Sequence, residues 1–148
     1  MLSRAVKNNG FPKTLRLVKT EDFGALLRER SERTFRIRSR YFIAQGKWSD
    51  SCRLRVGVTV GKANSPRSVD RALVKRVIRE SSRQSSKMRL DSIAEKSLGL
   101  DLSIRLCVPL KTIAVPNEQT TLLRSLLRKD VDVLWRKLDS SIQRKLES

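Results

Sequence analysis

Two segments of alternating apolar and polar residues, with a helical segment between them, limit the fold more than any other feature. RLRVGVTVGK, at positions 53–62, places leucine and valine at every second position, as in a strand that buries one face. LDLSIRLCVPL, at positions 100–110, alternates in the same way, and Pro109 indicates a strand end or a sheet edge. The intervening segment is long enough for the helical crossover that joins parallel strands. The chain is therefore expected to contain a strand–helix–strand unit.

The remaining segments predict one more strand and two more helices. A short helix is expected from Thr20 to about Arg30, because Thr20 can cap it and acidic residues follow. The aromatic and β-branched residues of 35–45 predict one strand, followed by a turn that includes Gly46 and residues 49–51. The order helix, strand, strand, helix, strand, helix predicts an α/β or α+β two-layer sandwich, in which a small central sheet packs with about three helices.

The middle and last helices are predicted from their own patterns. The middle helix is expected over residues 66–85, with Ser65 as its N-cap and a serine-rich segment at its end. A second short helix near residues 91–97 is compatible with the sequence. The last helix is predicted over residues 118–146. Its leucine stripe makes Trp135 a core residue rather than a platform for a nucleobase.

Charge composition narrows the choice of partner. The chain has 148 residues, with 33 Lys and Arg against 15 Asp and Glu and a formal net charge of +18. Such an excess opposes compaction and favours binding to a polyanion. Nucleic acid, an anionic membrane surface and an acidic protein are the candidates, and nucleic acid is favoured because a basic excess is its usual electrostatic signature. No apolar run approaches the length of a membrane span.

The middle helix arranges its cations in an ordered way. In RALVKRVIRESSR, at positions 71–83, apolar side chains fall on one arc and basic side chains on the opposite arc. Like charges four residues apart repel one another, so a uniform basic arc is better explained by phosphate contacts than by a solvated face. Because the arc is nearly pure arginine and lysine, it predicts contact with an RNA backbone rather than reading of DNA bases. Its members are Arg71, Lys75, Arg76, Arg79 and Arg83.

The sequence offers little for catalysis by the chain itself. It has no histidine, and its two cysteines, Cys52 and Cys107, are far apart and lack metal-ligand spacing. VGVTVGK lacks the spacing of a phosphate-binding glycine loop. We therefore expect no catalytic residue and no intrinsic metal or other cofactor. The cysteines are predicted to be buried thiols in a reducing compartment rather than a disulfide, and the expected location is the cytoplasm.

Several segments, taken in order, resemble the protein component of bacterial ribonuclease P. FPKTLRLVKTEDF, at 11–23, is similar to the approach to that family's first helix, and RLRVGVTVGK is similar to its central strand. RALVKRVIRE, at 71–80, is similar to the signature helix R-N-x-[VL]-K-R-x-[IL]-R-E, and LDLSIRLCVPL to the next strand. The resemblance covers about residues 11–138. Ala72 and Ala63 depart from it, since they stand where the family usually has Asn and a basic residue.

The resemblance implies a fold akin to a ribosomal-protein domain, with an unusual left-handed βαβ crossover. It implies a subunit of ribonuclease P that binds one catalytic RNA, in a one-to-one ribonucleoprotein, together with the 5′ leader of precursor tRNA. The RNA, with Mg²⁺, would carry the hydrolysis, and no membrane is involved. A structural rRNA-binding protein is the alternative, and a DNA-binding module is a weaker one. The expected boundaries are a basic arm at 1–12, the RNA-binding domain at 13–139 and a tail at 140–148.

The resemblance also assigns site residues by position. The basic arc of the middle helix would contact the catalytic RNA, with Lys62 in the preceding loop, and Arg83 is added from the helical wheel alone. The single-stranded leader would lie in a cleft between the first helix and the sheet, where aromatic rings stack on bases and arginines hold the backbone. Phe42 is favoured because the predicted strand places it on one face with Arg38 and Arg40. The leader residues are predicted to be Phe23, Leu27, Arg40, Phe42 and Arg55. For Phe23, the alternative role is packing in the core between the first helix and the sheet.

Overall fold

The structure, a computed structural model, describes residues 33–50, 52–113 and 120–147. The elements in this part of the chain are β1 (Thr34–Arg38), β2 (Phe42–Ser49), β3 (Leu54–Thr59), α1 (Ser68–Glu95), β4 (Gly99–Leu106), a 3₁₀ turn (Leu110–Thr112) and α2 (Thr120–Glu147). Both helices pack on one face of a four-stranded sheet, and the three elements share one apolar core. The predicted α+β two-layer sandwich is therefore confirmed. The helix predicted over 20–30 lies outside the described residues.

The sheet confirms the strand–helix–strand unit. Its strand order is β1-β2-β4-β3, and β3 pairs with β4 in parallel while the other two pairs are antiparallel. The chain reaches β4 from β3 through α1, as a parallel pair requires. Leu54 and Val56 of β3, and Leu102 and Ile104 of β4, are at most 1% exposed. The alternation of both segments therefore identified their buried faces correctly, while the hand of the crossover stays a prediction.

The single strand predicted over residues 35–45 is wrong, because this segment is a hairpin. β1 and β2 pair antiparallel with Arg38 opposite Ile43, and the backbone turns at residues 39–41. Gly46, predicted to lie in a turn, is instead in the middle of β2. A side chain at this position would overlap the ring of Phe35, which lies over the glycine. The close approach of a cross-strand ring, rather than a turn, explains this glycine.

The middle helix differs from its prediction at both ends. α1 is continuous to Glu95, whereas it was expected to end near residue 85. Ile93, near its end, is fully buried in the core, and this contact favours continuation of the helix. The helix begins at Ser68, so Ser65 is not its N-cap. The Ser65 side chain is buried, and its hydroxyl oxygen has no hydrogen-bond partner among the described residues.

The last helix confirms the predicted leucine stripe and corrects the predicted tail. Trp135 is 1% exposed, as expected of a core residue. Its indole N–H donates a hydrogen bond to Ser82 Oγ of α1, at 3.2 Å. Beyond residue 139 the helix continues to Glu147, and Ile142 is fully buried in the same core. Residues 140–147 are therefore part of the folded domain and not a separate tail.

Candidate nucleic-acid interface

The predicted basic arc lies on the side of α1 away from the apolar core. Arg76 is exposed, and the other four cations of the arc are partly exposed. Ala72 is also exposed, between them, and Val69 in the first turn is 61% exposed. Val74, Val77 and Ile78 on the opposite side are fully buried. The helical wheel therefore separated the two faces of α1 correctly, and all five cations lie on one helix within four turns.

The acidic residue within the arc segment is directed elsewhere. Glu80 accepts hydrogen bonds from the guanidinium of Arg124 on α2, at 3.0 and 3.2 Å. Arg128 of α2 lies 3.6 Å from the same carboxylate. Glu80 is therefore neutralised by the neighbouring helix. Its charge is engaged on the α2 side of α1, so the arc keeps its positive potential.

A hydrogen-bonded loop joins β3 to α1 and carries Lys62. Asn64 Nδ2 donates to the carbonyl of Leu106 at 3.0 Å, and the N–H of Leu110 donates to the carbonyl of Asn64 at 2.7 Å. Arg71 Nη1 donates to the carbonyls of Ser65 and Pro66, at 3.0 and 2.7 Å. Arg71 therefore fixes the loop in addition to its predicted role toward RNA. Lys62 is exposed at the loop's start, so the loop presents this cation beside the arc.

The turn between β1 and β2 is held by a carboxylate from α2. Asp130 Oδ2 accepts hydrogen bonds from Ser39 Oγ at 2.7 Å and from the Tyr41 N–H at 2.8 Å. Its Oδ1 accepts one from the Arg40 N–H at 3.2 Å. The Arg40 guanidinium is exposed and lies 5.6 Å from the centroid of the Tyr41 ring, within the range of a cation–π contact. The turn thus presents Arg40 outward from a fixed backbone.

The structure corrects one leader-binding residue that was predicted on the sheet, Phe42, and gives another, Arg55, an acidic partner. Phe42 is fully buried among core side chains, so its ring has no surface for stacking on a base. It does not share a strand face with Arg38 and Arg40, because the turn intervenes. Arg55 forms a two-point ion pair with Asp101, at 2.9 and 2.8 Å, and both side chains are less than one-fifth exposed. Phe23 and Leu27 lie outside the described residues.

Cations that sequence reasoning missed line the outer face of the sheet, opposite the helices. The strand register places Arg38, Ile43, Arg105 and Thr59 in one row across this face. Arg36 lies in the next row, and all three arginines are exposed. The alternation in TFRIR would have revealed Arg36 and Arg38 if β1 had been separated from β2. Arg105 is one of the polar residues that alternate with apolar ones in segment 100–110, and it was not assigned to a site.

The remaining structural features concern metals, thiols and membranes. In residues 33–50, 52–113 and 120–147, no three His, Cys, Asp or Glu side chains are grouped as a metal site would need. Cys52 is exposed and Cys107 is partly buried, so the predicted burial of both thiols is wrong; they are not joined in a disulfide. No helix in the described part of the chain combines the length and apolar character of a membrane span.

Comparisons with known proteins agree with the resemblance of the motifs. A family model described as Ribonuclease P matches residues 11–139. The ribonuclease P protein component of Paraburkholderia xenovorans (strain LB400) is 30% identical over 135 residues, which cover 91% of this chain and 88% of that protein. The ribonuclease P protein component of Burkholderia mallei (strain SAVP1) is 40% identical over 73 residues, or 49% of this chain and 50% of that protein.

Solved structures share the fold at lower sequence identity. The Staphylococcus aureus RNase P protein superposes with a TM-score of 0.55 and 16% identity, covering 85% of this chain and 96% of that chain. A mutant of the Staphylococcus aureus protein, with defective mRNA degradation activity, gives a TM-score of 0.59 and 17% identity over 86% and 90% of the two chains. These likenesses agree with the sheet order and helix placement described above. Together with the family match over most of its length, they show that this chain belongs to the ribonuclease P protein component family.

Proposed function

We propose that this protein is the subunit of ribonuclease P that binds the catalytic RNA and the 5′ leader of precursor tRNA. The observation that carries the proposal is the basic arc of α1, within whose segment the one acidic residue, Glu80, is bound by arginines of α2. A helix with one apolar face in the core and one uniformly basic face outside is suited to a phosphate backbone. Family membership supports the ribonuclease P RNA as the source of this backbone.

The leader surface is proposed to be the outer face of the sheet. Arg36, Arg38 and Arg105 are exposed there, and Arg40 is exposed on the adjoining turn. Their guanidinium groups can hold a single-stranded backbone without reading its sequence. In this proposal they replace Phe42, which is buried. Leader binding and catalytic-RNA binding then use opposite sides of the molecule, because α1 packs on the other face of the sheet.

The proposed share of the protein in the reaction is binding and charge neutralisation. The RNA, in a one-to-one complex with the protein in the cytoplasm, would carry the hydrolysis with Mg²⁺ held mainly by RNA groups. Cations of the protein would neutralise phosphates that otherwise repel one another when the two RNAs associate. The protein would therefore lower the Mg²⁺ concentration that the complex requires.

Reconstitution tests the function. The purified protein is added to a bacterial ribonuclease P RNA at low Mg²⁺, and removal of the leader from a precursor tRNA is followed. We expect faster cleavage with the protein than with RNA alone, and no cleavage by the protein alone. Failure to stimulate any of several bacterial ribonuclease P RNAs would contradict the proposal. Recovery of the protein with ribosomal particles, and not with a single RNA of that kind, would support the rRNA-binding alternative.

A charge variant of α1 tests the interface. Lys75→Gln with Arg76→Gln removes two cations of the arc, and we expect the slope of log K against log salt for catalytic-RNA binding to fall by about 2. The matched control is Arg53→Gln with Lys96→Gln, which removes two exposed cations near the opposite end of the sheet. An equal loss of slope in the control would mean that only net charge matters. An unchanged slope in the first variant would show the arc to be a solvated face.

A further inference from the structure

The exposed side of α2 carries a basic surface that its predicted role in the core does not explain. Among the side chains described on this helix, seven charged ones are exposed: six are cations and one, at the last residue, is an anion. Arg124 is paired with Glu80 of α1, and the other five cations form the basic surface of α2: Lys129, Arg136, Lys137, Arg144 and Lys145. A soluble surface normally intersperses both signs of charge. The segregation on α2 therefore indicates a polyanionic partner.

The aspartates of α2 are turned away from this surface. Asp130 is 9% exposed and binds the β1–β2 turn. Asp132 accepts a hydrogen bond from Ser81 of α1, at 2.6 Å. Asp139 lies seven residues after Asp132, on the same side of the helix. These two carboxylates, together with Arg128, which is paired with Asp132 at 3.1 Å, form a border of mixed charge along the α1 side of the helix. They separate the basic surface of α2 from the basic arc of α1.

The opposite border of α2 is continuous with the outer face of the sheet. Lys137 Nζ donates a hydrogen bond to the carbonyl of Arg38, at 2.9 Å, so α2 meets the edge strand β1 at this point. The side chain of Arg38 is on the outer face, and Arg40 is exposed on the turn that Asp130 holds. Arg144 lies seven residues beyond Lys137 on the same side of α2. A path of exposed cations therefore runs from the outer face, around the edge of the sheet and onto α2.

We propose that the exposed side of α2 binds the upstream part of the 5′ leader, which reaches it from the outer face of the sheet around the β1–β2 turn. The inference rests on the proposed function, since it extends the leader surface given above. Continuity with the outer face, and the border of mixed charge toward α1, favour the leader over the catalytic RNA as the occupant. Contact through lysine and arginine alone makes the binding independent of leader sequence and dependent on leader length.

The test compares two leaders in the reconstituted holoenzyme. One precursor tRNA carries a short leader of about five nucleotides, and the other carries the same tRNA with a leader of about twenty, since site sizes on single strands fall in this range. The variant changes Lys129, Arg136 and Arg144 to Gln, and it leaves the hydrogen bond of Lys137 in place. We expect the variant to weaken binding of the long-leader substrate on the order of tenfold and to reduce its salt slope by about 2. Binding of the short-leader substrate is expected to stay unchanged.

Controls make each outcome decisive. The variant Arg53→Gln with Lys96→Gln is expected to bind both substrates alike, and thermal unfolding of every variant verifies its fold. Equal weakening for both leaders, or weaker binding of the catalytic RNA, would overturn the proposal and assign the surface to that RNA. No effect on either substrate would also overturn it. If the wild-type protein fails to stimulate cleavage even of the short-leader substrate, the proposed function itself is contradicted. That result is distinct from a failure of the proposed leader contact on α2.

Discussion

The two helices α1 and α2 each have 28 residues and pack on the same face of the sheet, but they use their acidic side chains differently. Glu80 of α1 is about one-third exposed and is paired with two arginines of α2. Asp130 of α2 is buried and accepts three hydrogen bonds from a hydroxyl and two backbone N–H groups. The first carboxylate adjusts a surface potential, whereas the second holds a distant turn in place.

The difference in burial decides what each carboxylate contributes to stability. An exposed ion pair gains little, because water and salt screen it and two long side chains must be ordered. A buried carboxylate that satisfies several donors stabilises more, because its removal leaves those donors without partners away from water. If this comparison is right, substitutions of Asp130, Asp132 and Glu80 should rank by the number of buried hydrogen-bond donors that each carboxylate satisfies, and not by the number of charges that it contacts.

The largest effect is expected at Asp130. Asp130→Ala removes the acceptor of the Arg40 and Tyr41 N–H groups, and it leaves the Ser39 hydroxyl only its longer hydrogen bond to the Phe42 carbonyl, at 3.4 Å. We expect the free energy of unfolding to fall by about 3 kcal/mol, measured by urea denaturation. Asp130→Asn retains one acceptor oxygen and is expected to lose less than half as much. A loss below about 1 kcal/mol for Asp130→Ala would break the comparison, because burial would then confer no advantage.

The same residue shows where sequence reasoning reached its limit. The turn at 39–41 consists of Ser39, Arg40 and Tyr41, and of these only Ser39 is of a type that usually marks a turn. Its acceptor, Asp130, is 91 residues from Ser39 along the chain. No local pattern contains that information, so residues 35–45 were interpreted as one strand. The error transferred Phe42 from the core to the leader site.

Other features were predictable because their causes are local. Alternation identified the core faces of β3 and β4, and the helical period separated the two faces of α1. The length of α1 was not predictable, because serines normally favour the end of a helix by bonding to nearby backbone groups. Here the Ser81 hydroxyl donates a hydrogen bond to Asp132 of α2, and the Ser82 hydroxyl accepts one from Trp135 of α2. Tertiary partners therefore extended the helix.

An intermediate effect is expected at Asp132. Its carboxylate accepts a hydrogen bond from the hydroxyl of the buried Ser81 and forms an ion pair with Arg128. The Asp132 side chain is nevertheless 46% exposed. Asp132→Ala should lower the free energy of unfolding by about 1 kcal/mol, mainly because the Ser81 hydroxyl loses its acceptor. A double-mutant cycle with Ser81→Ala sharpens the comparison, since the coupling should account for most of this loss. Coupling near zero would mean that Asp132 acts through Arg128 alone.

The smallest effect on stability, but a distinct effect on RNA, is expected at Glu80. Glu80→Gln keeps an acceptor for Arg124 and removes one negative charge beside the arc. The free energy of unfolding should therefore fall by only about 0.5 kcal/mol. The catalytic RNA should bind about twofold more tightly at low salt, and the gain should disappear as salt screens it. Glu95→Gln, at the exposed end of the same helix, is the matched control. It makes the same chemical change away from the arc and should leave RNA affinity nearly unchanged. Weaker RNA binding by Glu80→Gln would contradict the comparison, because the surface carboxylate would then be positioning the arc as Asp130 positions the turn.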